Sequence, residues 1–131
     1  MAHQRTVEVE EREYRALAAL EVAVLRCEGE MEEFALAHLG EELFRLAHKG
    51  ICQVVLDLTA VDHVDYRGLK PLAARARLLR EAGGDLKLCG LSAYLLAILR
   101  AAGVEDDFEQ YRNVGEAKAS FVAASVISLV R

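Results

Sequence analysis

Most of the side chains that could do chemistry crowd into residues 54–68, VVLDLTAVDHVDYRG. Asp57, Asp62, His63 and Asp65 offer carboxylates and an imidazole within a few residues, a mixture that Mg²⁺ accepts when water completes its shell. Each has a plainer use. Asp65 suits the cap of a helix or turn, Asp62 and His63 suit a loop, and Asp57 suits a strand end satisfied by backbone donors. Only closeness in sequence speaks for a metal, so neither a metal site nor a cofactor is expected. Nucleophilic catalysis is no better served. His3, His38, His48 and His63 are scattered, and no Ser or Cys stands on a strand-to-helix elbow. Gly83-Gly84 ends a helical stretch where a phosphate loop would begin one, and the acidic pair and late Lys of a receiver domain are missing. The pattern points away from an enzyme.

These residues must be held by the elements around them. Val54 to Leu58 is apolar on both strand faces, which implies a central strand over 52–58 covered by helices above and below. Asp62, His63 and Asp65 fall in an acid-rich turn after it, and the apolar spacing turns helical after Gly68. In an open α/β sheet, binding sites gather at such carboxyl ends of strands, where the next helix points its free amides outward. Pro71 is harmless only in a first turn, so that helix either begins no earlier than about Leu69 or is bent there. Leu69, Leu72, Ala73, Ala76 and Leu79 form its buried stripe. Steps of 100° place Arg67, Lys70, Ala74, Arg77 and Leu78 on the opposite face.

Elsewhere, Val7 and Val9 alternate with polar residues over 6–11, residues 10–21 are rich in helix formers and ambiguous, and 22–27 is a second β-type run closed by Gly29, with a join around 15–21 if both runs are strands. Leu36, Leu39, Leu43 and Leu46 mark an amphipathic helix over 34–49 ended by Gly50. Residues 86–90 alternate as a strand. One bridging helix makes this strand and 52–58 parallel neighbours. Ser92 caps a helix with Leu95, Ile98, Leu99 and Ala102 inward and Gly103 as its stop. An edge strand falls near 108–111. Asn113 with Glu116 opens a last helix lined by Val114, Ala117 and Phe121. The expected architecture is α/β, a single-layer mixed β-sheet of about four to five strands with about four α-helices, in one domain over 1–131.

Composition agrees with a globular domain. The chain has 131 residues, 53% of them hydrophobic and 28% charged, and a formal net charge of −5. That acidic balance argues against general nucleic-acid affinity, which depends on neutralising phosphates. The amino end has no signal-type apolar core, and the apolar run over 119–130 contains Ser and is too short to span a bilayer. A cytoplasmic protein without direct membrane insertion is expected. Cys27, Cys52 and Cys89 lack metal-ligand spacing and are expected as reduced, buried thiols.

With the elements placed, the chain from Val22 onward resembles the STAS domain of bacterial anti-sigma factor antagonists. The resemblance rests on VVLDLTAVDHVDYRGL at 54–69, EAGGDLKLCG at 81–90, AAGV at 101–104, NVGEA at 113–117, and Gly29-Glu30 after the second strand. It implies a non-catalytic, protein-binding switch. Members of this type carry Asp-Ser-(Ser/Thr)-Gly at the head of the second helix, and a partner kinase that is also the anti-sigma factor phosphorylates the Ser. Here Asp65 and Gly68 keep the pattern, Tyr66 stands in the Ser position and Arg67 replaces the second hydroxyl residue. The usual serine phosphoswitch is therefore not expected. The expected partner is an anti-sigma factor kinase or a sensory assembly.

The expected contact residues are Asp65, Tyr66, Arg67 and Gly68, extended by Lys70, Arg77 and Leu78. Asp65 would fix the loop, Gly68 would permit a close turn, and Tyr66 and Arg67 would supply contact. Arg67 near a helix amino end opposes the helix dipole, a misfit that an anionic partner would relieve. Alternatives are the cytosolic STAS subunit of a lipid ABC transporter, a small-ligand sensor, and a homodimer formed through the apolar last helix.

Overall fold

The computed structural model describes the backbone of residues 21–130 and the side chains of residues 21–122. In chain order these form β1 (Val22–Met31), α1 (Glu33–His48), β2 (Gln53–Val64), a 3-10 turn (Tyr66–Gly68), α2 (Leu69–Glu81), β3 (Asp85–Cys89), α3 (Ala93–Ala102), a second 3-10 turn (Glu105–Asp107), β4 (Gln110–Tyr111) and α4 (Val114–Val130). The four strands lie in the order β1-β2-β3-β4, and every described pairing is parallel. The strand expected over 6–11, which would make the sheet mixed, and the join that follows it lie outside the described residues.

Alternation along β2 and β3 sorts the core into two layers. Val54, Leu56, Leu86 and Leu88 pack with the apolar stripes of α1, α2 and α3, whereas Val55 and Cys89 pack with Ala117 and Phe121 of α4. Helices thus cover both faces of β2, and Val54, Val55 and Leu56 are at most 1% exposed. Burial of this completeness is worth about 1.5–3 kcal/mol per large aliphatic side chain. Ser92 Oγ accepts from the Leu95 N–H at 3.1 Å, Gly103 closes α3 at φ +74°, and Asn113 Oδ1 accepts from the Glu116 N–H at 2.9 Å. Pro71 is the third residue of α2 and costs no hydrogen bond there.

β2 corrects the sequence reading. It runs on to Val64, so Asp62 and His63 belong to a strand and not to a loop. Its register against β1 shifts twice, from Arg26↔Asp57 to Glu28↔Ala60 and from Gly29↔Val61 to Glu30↔His63. Each shift inserts one extra residue into β2, a bulge that turns the following side chains to the other face. Val61 and Val64, whose spacing of three breaks strand periodicity, are thereby both buried. β1 likewise does not close at Gly29 but continues through it, at φ +73°, to Met31.

Candidate functional site

β2 delivers the chain to the head of α2, where Asp65 organises the turn. The Asp65 N–H donates to the Met31 carbonyl at 2.9 Å, which ties the turn to the end of β1. Asp65 is extended and caps the 3-10 turn: its Oδ1 accepts from the Arg67 N–H at 2.9 Å and from Arg67 Nε at 3.1 Å, and its Oδ2 accepts from Nη2 at 2.7 Å. Charge-assisted, forked pairing of this kind fixes both side chains. The Arg67 side-chain hydrogen bonds, helped by its backbone N–H, hold the Asp65 carboxyl down at about 2. Hydrogen bonding and charge from Asp65, and then the charge of Glu33, push the Arg67 guanidinium above its ordinary range. Glu33 Oε1, in the first turn of α1, lies 3.9 Å from Arg67 Nη2. The expected misfit of Arg67 is therefore already relieved by two carboxylates of its own chain.

Tyr66 begins the turn 61% exposed, and its hydroxyl has no hydrogen bond among the described residues. Lys70, in the first turn of α2, is exposed and has no ion-pair partner among the described residues. Arg77 and Leu78 face solvent but begin roughly 12 Å further along the helix, at 1.5 Å per residue. Arg77 Nη1 lies 3.9 Å from Asp107 Oδ1, beside the second 3-10 turn. Asp65, Tyr66, Arg67, Gly68 and Lys70 thus form one cluster, and Arg77 and Leu78 stand apart from it.

Gly68 does not serve turn geometry. Its φ is −87°, open to any residue, but a Cβ there would stand 2.4 Å from Leu36 Cδ1 and 3.0 Å from Leu36 Cβ. The missing side chain lets α1 approach the turn.

Beside the turn runs an open groove of about 620 Å³, lined by residues 63–67 on one side and by Ala97, Ile98 and Ala101 of α3 on the other. His63 Nδ1 lies 2.7 Å from the Tyr94 hydroxyl near its rim. Two residues here were missed from sequence. Tyr94 exposes 54% of its surface, and Glu33 completes the charge around Arg67. The helical spacing that marked the inward stripe of α3 also marks its complement, Tyr94, Ala97 and Ala101, so that signal was in the sequence. The contact of Glu33 with Arg67 had no sequence signal.

The other reactive groups are structurally committed. Asp57 Oδ1 accepts from the Thr59 hydroxyl at 2.6 Å and the Thr59 N–H at 3.1 Å, and Arg26 Nε lies 3.4 Å from Oδ2. The Thr59 hydroxyl is the main cause of its lowered carboxyl. The donors are thus side chain as well as backbone. Among the described residues, no three His, Cys, Asp or Glu side chains gather as a metal-ligand set. Burial pushes the Cys27 and Cys89 thiols up, away from the reactive thiolate. No helix among the described residues is long and apolar enough to cross a membrane.

Comparison with known proteins bears on the family and the fold. BtrV of Bordetella bronchiseptica, a candidate anti-sigma factor antagonist, is 31% identical over 86 residues, 66% of this chain and 74% of that protein. The crystal structure of TM1081 from Thermotoga maritima, another candidate antagonist, superposes with a TM-score of 0.68 at 18% identity, covering 76% of this chain and 86% of its own. The anti-sigma factor antagonist SpoIIAA of Bacillus, in its unphosphorylated form, superposes with a TM-score of 0.64 at 17% identity, covering 75% of this chain and 85% of its own. These two share the fold. The STAS domain family model matches residues 14–117, and the chain belongs to the STAS domain family.

Proposed function

We propose that this protein is a single-domain, cytoplasmic STAS regulator over residues 1–131 that acts as an anti-sigma factor antagonist, binding a kinase-fold anti-sigma factor and catalysing nothing itself. The observation that carries the reading is the mouth of α2. A tyrosine that is exposed and has no hydrogen-bond partner among the described residues stands there beside the Asp65–Arg67 fork. BtrV, which carries the name of a candidate antagonist, supports the same class. Tyr and Arg are both enriched at interface hot spots.

Control differs from that of relatives with a serine after the aspartate. In those proteins a phosphate adds up to about two negative charges to the contact patch and decides docking. Tyr66 carries its hydroxyl a ring's length further from the backbone, beyond the reach of a kinase site shaped around serine. Arg67 is already committed to Asp65 and Glu33, so the mouth offers shape and a bound charge in place of a removable one.

The test is a two-hybrid screen against the anti-sigma factors of the same genome, followed by calorimetric titration of the one that binds. Tyr66→Ala should weaken that complex by about 2 kcal/mol, roughly thirtyfold, and leave the melting temperature unchanged, since the ring touches solvent. Failure of every anti-sigma factor to bind, or full affinity in the variant, would overturn the reading.

A further inference from the structure

On the face formed by α1 and α2, away from the mouth, a second open groove of about 580 Å³ is lined by Glu41, Phe44, Arg45 and His48 of α1 and by Arg75 of α2. Its groups are unevenly matched. Around α2, Arg67 has Asp65, Arg77 has Asp107 and Arg80 has Asp85 at 2.9 Å. Arg75 has neither hydrogen bond nor ion pair among the described residues. Its guanidinium lies across α1 in room that Gly40 leaves, where a Cβ would come 3.3 Å from Nε. Arg45 is already paired with Glu42 of its own helix. Glu41 has only His38 Nδ1 at 3.8 Å, an exposed contact that is ionic only when the imidazole is protonated. Phe44, in the same groove, is 61% exposed and stacks on His48 with centroids 5.9 Å apart.

The groove therefore holds one cation without a partner among the described residues, one anion with a weak partner and one exposed ring. We infer that it is a self-association surface whose occupant is the same groove of a second copy. Charge complementarity selects this occupant. An acidic peptide would satisfy Arg75 but meet Glu41, and a basic one would do the reverse. A second copy related by a two-fold axis brings Glu41 to Arg75 and Arg75 to Glu41 in one step, because an isologous interface makes each contact twice. The same axis sets the two Phe44 rings near each other, a small apolar centre inside the two ion pairs. So small a patch predicts a dimer that dissociates on dilution.

The test is sedimentation velocity of the full chain from about 5 to about 500 µM. A concentration-dependent dimer is expected. Arg75→Glu and Glu41→Arg should each weaken it at least roughly tenfold, since each reverses two contacts, and the double swap should restore it. Phe44→Ser should weaken it as well, and circular dichroism melts report that each variant is folded. A monomer throughout, a dimer indifferent to both charge reversals, or a double swap as weak as the single variants would overturn the inference. None of these results touches anti-sigma factor binding, which is read by titration at Tyr66.

Discussion

Replacing Gly68 with alanine separates two explanations of that glycine. If it served only the backbone, alanine would be welcome, because φ −87° and ψ −4° lie in the right-handed helical region. Alanine is then favoured by up to about 1 kcal/mol on helix propensity. The structure says otherwise. The new methyl would stand 2.4 Å from Leu36 Cδ1, against an ordinary carbon contact of about 3.5–4.0 Å. Leu36 can swing Cδ1 and Cγ away by rotation, but its Cβ at 3.0 Å moves only if the first turns of α1 retreat. Overpacking of this kind costs about 1–3 kcal/mol, so a net loss of about 1–2 kcal/mol remains after the propensity gain. In a domain of this size that lowers the melting temperature by about 3–8 °C. Urea unfolding gives the free energy directly. Leu36→Ala alone should cost about 2–5 kcal/mol through its cavity, and in the double variant the methyl at 68 should fill part of that space. A compensating coupling of at least about 0.5 kcal/mol is expected. A Gly68→Ala protein as stable as the parent, or strictly additive double-variant energies, would refute the packing account.

Two further predictions concern charge. The Asp65 carboxyl is depressed in the folded state, from 3.8 to about 2. The fork with Arg67 therefore contributes fully above the unfolded pKa and is lost progressively as pH falls from there through about 2. Carbon-detected NMR titration should find the Asp65 midpoint near about 2, and a midpoint at the ordinary value would show that the fork does not form. Lys87 is 6% exposed, with Nζ 2.7 Å from Ser120 Oγ, 3.2 Å from Glu109 Oε1 and 4.1 Å from the Phe121 ring centroid. Glu109 remains 58% exposed and can stay hydrated, so Lys87→Met should cost less than about 1 kcal/mol, whereas Lys87→Ala should cost about 2–3 kcal/mol by leaving a cavity under α4. The Tyr111 hydroxyl is the main cause of the lowered Glu109 carboxyl and Lys87 a lesser one, so Lys87→Met should raise it; an unmoved Glu109 would show that Lys87 does not reach it.

Local signals decided much of this protein. Apolar spacing every three or four residues placed α1, α2 and α3, Ser92 and Asn113 marked two helix starts, and the doubly apolar run at 54–58 announced a strand covered on both faces. Each is a property of neighbouring residues, and neighbours in sequence remain neighbours in a helix or strand. Tertiary structure alone decided what depends on residues far apart. The bulges that keep Val61 and Val64 both inside arise from pairing with β1, so 59–64 read as a loop. Lys87 sits where strict alternation predicts an outward side chain, because α4 later closes over that face. Asp65, a neighbour in sequence, is the first carboxylate on Arg67, but the second, Glu33, reaches it only because α1 packs there. Gly68, whose backbone asks for nothing unusual, is required by Leu36 on another helix. In each case the deciding atom lies more than twenty residues away, a distance across which no local periodicity carries information.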